Sequence, residues 1–258
     1  MDRYELTESR RALILCDTKR SGAEHDVPRM EELFKGNGFD YTKINTLDNR
    51  NEVMTELSNF QDKLKNLPDG VSCLMVVIMC HGRLGHISLS DGKEIQLEEI
   101  YQMFYNRQCP ALREKPKLFV VQACRGVKEH LRHLYTDGST EFGPSTQKLL
   151  PTESDIMVVY AVCPEKLAII HPEYGCPLFV EMEKVFKDFS TSRHMYELFT
   201  KVNRSLDKRV EKHGFKLDTE APRREAKTDR LIRLDPAVVS DIGRSLHIVS
   251  SLTKKWYL

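Results

Sequence analysis

The chain has 258 residues, 40% hydrophobic and 30% charged, a balance that suits one soluble globular domain and excludes a disordered or membrane-spanning one. Its 39 basic and 38 acidic side chains leave a formal net charge of +1, so bulk charge gives no reason to expect nucleic acid or anionic lipid as a partner. Seven cysteines, at 16, 73, 80, 109, 124, 163 and 176, are odd in number and form no CxxC pair. The start, MDRYELTESRR, is unlike a signal peptide, so these read as reduced thiols of a cytoplasmic protein with no metal site.

ALILC at 12–16 predicts a short buried strand. After the polar turn DTKRSG, Val27, Met30, Leu33 and Phe34 share one face of a helix over about 24–36. FDYTKIN (39–45) predicts a second strand, and a helix with Val53, Leu57, Phe60 and Leu64 on one side follows it. SCLMVVIMC (72–80), the most apolar strand, ends in His81-Gly82. A helix over 97–106 then leads to KLFVVQAC (117–124), apolar on both faces. Strands alternating with helices predict a mostly parallel sheet covered on both sides. Crevices in such sheets lie at the carboxyl ends of the strands, where His81 and Cys124 fall. From Gly126 to about Ser154 the composition turns to Gly, Ser, Thr and Pro, an exposed linker. Beyond it the pattern predicts a strand over 155–162, an irregular stretch, and helices over about 178–189 and 194–212. A charged segment (213–244) reads as a long loop, and SLHIVSSL (245–252) as the last strand.

A cysteine closing a strand is ordinarily a buried hydrophobe and a lone histidine a structural residue. Here the two stand 43 residues apart at two strand ends, and together they can supply a thiol nucleophile and the base it needs. The backbone N–H groups of Gly82 and Cys124 would serve as the oxyanion hole.

QACRG (122–126), with a histidine upstream, resembles the nucleophile motif of the caspase family. KRSGAEHDV (19–27), MCHG (79–82), KPKLFVVQACRG (115–126), VVYAV (158–162) and IVSSLTKKWYL (248–258) are similar to caspase segments in caspase order, over nearly the whole chain. The resemblance implies a caspase-like three-layer α/β sandwich, with a mostly parallel central sheet and helices on both faces. It divides one folded domain into a large-subunit region (1–126) carrying the dyad, an intersubunit linker (127–154) and a small-subunit region (155–258). It also implies cysteine endopeptidase chemistry with no cofactor, and with Thr18 supplying the carbonyl that orients His81. Asp137, in LYTDGS, becomes the expected processing position, whereas Asp155 sits too close to the next strand. No separate domain is read ahead of the core, as in short-prodomain, effector-like members.

Caspases cut after aspartate, gripping its carboxylate with two arginines and the glutamine of QACRG, since a planar guanidinium can hold a carboxylate through two charge-assisted hydrogen bonds. Arg20 and Gln122 match the first arginine and the glutamine. Counting from Tyr160 and Pro164, the strand that carries the second arginine maps onto Ala168, Ile169 and Ile170, so Ile170 stands where an arginine is expected. Between Gly126 and Arg193 the only arginine is Arg132, so shifting the register does not restore the group. Glu165-Lys166, Cys176-Pro177 and a short DTKRSG loop also depart from the family pattern.

Removing one partner of a desolvated carboxylate pair costs about 3–5 kcal/mol, a rate penalty on the order of a hundred- to several-thousand-fold. The resemblance then points to a pseudo-caspase with a degraded aspartate pocket, which dimerises with an active caspase and regulates it in apoptosis. The alternative is an active cysteine endopeptidase cleaving after Asp with weak or altered specificity. In either case the terminal IVSSL strand matches the family's dimer edge, implying a homodimer or a heterodimer with another caspase, without nucleic acid or membrane.

Overall fold

The computed structural model describes residues 2–125, 154–171, 174–210, 216–217, 243 and 245–258. Six strands form the central sheet. β1 (Ser9–Cys16), β2 (Phe39–Ile44), β3 (Val71–Met79), β7 (Lys117–Gln122) and β8 (Ile156–Tyr160) are parallel, and β11 (His247–Ser250) closes one edge antiparallel to β8. Every residue of β3, β7 and β8 is buried. The reason is that helices cover both faces, so these strands read as unbroken apolar runs and not as alternating ones.

On one face lie α1 (Ala23–Gly36), α4 (Pro177–Phe189) and α5 (Met195–Val210), which bury Met30, Phe34, Phe179, Met182, Leu198 and Phe199. On the other lie α2 (Arg50–Lys65) and α3 (Leu97–Met103), with Val53, Leu57, Phe60, Leu64 and Ile100. Local signals set the helix starts. The Asn49 side chain accepts from the Glu52 N–H at 3.0 Å, and Pro177 occupies the first turn of α4, where no N–H is needed. The three-layer α/β architecture is therefore as expected. No helix among the described residues is long and apolar enough to cross a membrane.

Several boundaries differ from the sequence expectation. β1 starts at Ser9, because the polar Ser9-Arg10-Arg11 continues the ladder at the exposed end. The predicted strands 72–80 and 117–124 end at Met79 and Gln122, so His81 and Cys124 stand past the ladder. The helix expected over 97–106 ends at Met103, after which Phe104 and Tyr105 turn inward and are buried. A three-stranded antiparallel sheet of β4 (Gly82–Arg83), β5 (His86–Ser88) and β6 (Glu94–Gln96) follows β3, and strands of two or three residues carry no period to read. The irregular stretch after β8 holds β9 (Ile169–Ile170), which pairs with β10 (Lys216–Leu217) inside the segment read as a loop. The predicted linker, apart from Ser154, lies outside the described residues, and Asp137 with it.

Asp155 ties the two chain ends to β8. Its carboxylate accepts from the Tyr4 hydroxyl at 2.6 Å, Thr253 Oγ1 at 2.6 Å and Ser154 Oγ at 2.9 Å. Backbone bonds from Tyr4 N to Lys255 O and from Lys255 N to Asp2 O, both 3.0 Å, run alongside. Burial pushes the carboxyl up, but the hydroxyl donors of Thr253, Tyr4 and Ser154 outweigh it and hold the carboxyl below its usual value. Asp155→Ala is expected to lower stability by about 1–3 kcal/mol in urea unfolding, since it strands the buried Tyr4 hydroxyl and removes the acceptor that the exposed Ser154 and Thr253 hydroxyls share. Because the folded carboxyl titrates below the ordinary 3.8, its stabilisation is complete above that pH and lost as pH falls through it. The acid limb of the stability curve should therefore be shallower in Asp155→Asn.

Candidate active site

Cys16 of β1 pairs with Met79 of β3, and Met79 with Gln122 of β7. Asp17 N donates to Met79 O at 2.9 Å and Cys80 N to Gln122 O at 3.1 Å, carrying the ladder one residue further. Thr18, His81 and Cys124 each follow these paired positions by two residues, so the register delivers all three to one level at the carboxyl end of the sheet. At Gly82 a Cβ would lie 2.4 Å from the His86 carbonyl oxygen and 3.3 Å from Ala123 Cβ. Only glycine allows this approach, and it sets the His81-Gly82 backbone against the residue before Cys124. His81 is half-buried; Cys124 is 4% exposed and packs with Val162, Leu167 and Ala168. Arg125 N donates to Lys166 O and Glu165 N to Arg125 O, both at 3.0 Å, locking the residues after Cys124 to the turn after β8.

The residues expected to bind aspartate are arranged differently. The Arg20 side chain is fully buried, and its Nη2 meets Asp26 Oδ2 at 2.6 Å. Nη1 donates to Ser21 O at 3.2 Å, and Nε has no partner among the described residues. Asp26 Oδ1 accepts from Cys176 N at 2.8 Å. Burial pushes the Asp26 carboxyl up from its usual value, against the pull of Arg20. Two thiols flank the pair, and burial raises Cys16 to about 11 and Cys176 to about 12, which makes both poor nucleophiles.

Asp26 was missing from the sequence expectation, which placed Val27 on the inner face of α1. The structure buries Ala23, Asp26, Met30, Leu33 and Phe34 instead, while Val27 is half-buried. An acid at an i, i+4 spacing from Met30 was the available signal.

Ile170 is 3% exposed, and its Cγ2 lies 2.7 Å from where a Cβ on Gly22 would stand. A Cβ on Gly175 would lie 2.2 Å from Asp26 Oδ1. Glycines at 22 and 175 thus let β9 and the start of α4 close over the Arg20–Asp26 pair. Gln122 is fully buried, with Oε1 and Nε2 unpartnered among the described residues. The His171 ring, next to Ile170 in the chain, stacks on Tyr174 at 4.5 Å. Strand register puts Thr18, His81 and Cys124 at one level at the carboxyl end of the sheet, with Gly82 against Ala123, and the structure encloses Arg20 and Ile170 in an ion-paired, apolar interior.

Residues 9–227 match the model of the caspase domain. The chain is similar to caspase-14 of Homo sapiens, 32% identical over 209 residues, which cover 80% of this chain and 84% of that protein. It is 32% identical to caspase-14 of Mus musculus over 198 residues, covering 72% and 77%. To caspase-2 of Gallus gallus it is 31% identical over 204 residues, covering 74% of this chain and 47% of the relative.

Breaking the buried pair from one side leaves an unpaired charge in the interior. Asp26→Asn is therefore expected to cost about 3–5 kcal/mol in chemical denaturation. The double variant Arg20→Met/Asp26→Leu, which removes both charges, should recover most of that loss, a non-additivity that an isolated surface pair would not show.

Proposed function

The chain belongs to the caspase family, and we propose that within it the protein is a pseudo-caspase, which dimerises with an active caspase and regulates its activity in apoptosis in the cytoplasm. The observation that carries this reading is the buried Arg20–Asp26 pair with Ile170 beside it. A substrate aspartate would have to share one guanidinium with Asp26, two carboxylates competing for the same donors, and would find an aliphatic wall where a second cation is needed. At about 3–5 kcal/mol for the missing partner alone, turnover after aspartate falls by a hundred- to several-thousand-fold. The dimer part of the reading is supported by β11, whose outer edge has no strand against it among the described residues and whose Ile248 and Val249 are partly buried against the two cores. An open edge of this kind is suited to pairing with a second chain. Processing at Asp137, within the linker 127–154, separates the large and small regions in this proposal.

A second reading, an active endopeptidase with weak or altered specificity, is favoured by the common level of Thr18, His81 and Cys124 and by the fit at Gly82. In it His81 takes the Cys124 proton, the thiolate attacks the scissile carbonyl, and the N–H groups of Gly82 and Cys124 receive the oxyanion.

Purified protein, intact and cut at Asp137, should be assayed on a fluorogenic library varied at the residue before the scissile bond. The expected result is no turnover beyond that of Cys124→Ala from either form. A Cys124→Ala variant should still associate with an active caspase and change its rate as the parent does. Turnover after aspartate that disappears in Cys124→Ala would sink the pseudo-caspase reading, and turnover after another residue would establish the second one.

A further inference from the structure

Arg125 follows the candidate nucleophile directly and is only 2% exposed. Its Nε and Nη2 have no partner among the described residues, so its side-chain hydrogen bonding to them passes through Nη1 alone. Nη1 donates to Val162 O at 3.2 Å and stands 2.8 Å from Nδ1 of His247 on β11. The guanidinium carbon lies 3.9 Å from the centre of the Tyr160 ring, and the His247 ring stacks on the same tyrosine at 5.6 Å and 20°. Arginine carries donors and no acceptor, so the 2.8 Å contact is a hydrogen bond only when His247 is neutral, with Nδ1 bare and its proton on Nε2.

The groups around this cluster come from four places. Arg125 belongs to the segment after β7, and Tyr160 to β8. Tyr101 of α3 donates its hydroxyl to Tyr160 Oη at 3.3 Å. Cys163, beyond β8, directs its thiol to Ser245 O at 3.7 Å. Glu98 of α3 bears on Tyr101 and Tyr160 and accepts from the Tyr105 hydroxyl at 2.8 Å. The charge bearing on His247 itself is that of Arg125.

We propose that His247 is a proton-operated latch on Arg125: the neutral imidazole holds the guanidinium, and protonation turns acceptor into donor and releases it. Released, Arg125 keeps one side-chain hydrogen bond, to Val162 O. Its backbone is bonded to Lys166 and Glu165, so the seat of Cys124 and the edge strand β11 loosen together on acidification. The latch is independent of whether Cys124 turns over substrate. Burial and the Arg125 charge both oppose the imidazolium and hold His247 below the ordinary imidazole value of 6.5. Its stabilisation is accordingly complete above that pH and is lost as pH falls through it.

The test is thermal unfolding of the full chain at about pH 7.5 and about pH 5.5, for the parent and for His247→Gln, whose amide oxygen accepts from Arg125 at both pH values. Between the two pH values the parent should lose about 2–4 °C of Tm more than the variant. Equal losses would overturn the proposal. NMR of the His247 ring in the parent gives an answer even where the variant fails to fold. An Nε2-protonated tautomer at neutral pH and a midpoint below 6.5, shared by the Arg125 backbone amide, is the expected result. An Nδ1-protonated ring, or a midpoint at or above 6.5, would rule the latch out.

Discussion

The arrangement of the site hangs on one buried ion pair, Arg20 with Asp26 at 2.6 Å. Each charge leaves water only because the other is there, and Asp26 uses its second oxygen to take the Cys176 N–H. Three parts of the chain thereby meet: the loop after β1, the first turn of α1 and the start of α4. The meeting needs close backbone approach, which is why glycines stand at 22 and 175, with φ of +84° and +75°. Once the pair forms, Arg20 is neutralised from inside the protein, and Ile170 fills the space beside Gly22 with an aliphatic side chain. Arg20 and Ile170 are thereby part of the interior.

Much of the fold was legible, because the features that reveal it are local. Continuous apolar runs marked β3, β7 and β8, and Val53, Leu57, Phe60 and Leu64 marked the inner face of α2. The ends of those runs were misplaced by one or two residues, since Cys80, Ala123 and Cys124 remain buried past the last ladder pair and apolarity alone does not show where pairing stops. β4 to β6 and the β9–β10 pair were not legible; their pairing is fixed by neighbours and not by any sequence period. Within the site, the level shared by Thr18, His81 and Cys124 follows from strand ends that could be read. The closure of Arg20 could not be read as easily, because it depends on α1 turning Asp26, a charged residue outside the apolar pattern, fully into the core while Val27 packs at its margin. Arg125 and His247 lie 122 residues apart, and no local pattern joins them.

The two sides of the carboxyl end of the sheet, after β1 and after β7, differ in character. On one, a guanidinium is closed by a carboxylate that forms part of the core. On the other, Arg125 is held by neutral acceptors and an aromatic face, with two of its three guanidinium nitrogens unpartnered among the described residues. A pair of opposite charges in an apolar interior is costly to open, whereas a cation on a neutral imidazole is held by an interaction that a single proton reverses. The rigid side joins the loop after β1 to the start of α4, and the reversible side faces β11.

Why His81 and Cys124 accompany a buried Arg20 follows from what each part does for folding. The heights of His81 and Cys124 are set by strand register, which the core requires in any case. Gly82 is demanded by the His86 carbonyl, and Cys124 fills a small apolar cluster with Val162, Leu167 and Ala168. Each of these residues has a packing reason to be present that does not involve chemistry. Ile170 and Asp26, by contrast, lie on the loop and helix faces that close over Arg20, where one side chain changes charge balance without disturbing the sheet. The sheet thus constrains the positions of His81 and Cys124 far more tightly than the loop and helix faces constrain the residues around Arg20, so the surroundings of Arg20 can change while His81 and Cys124 stay in place.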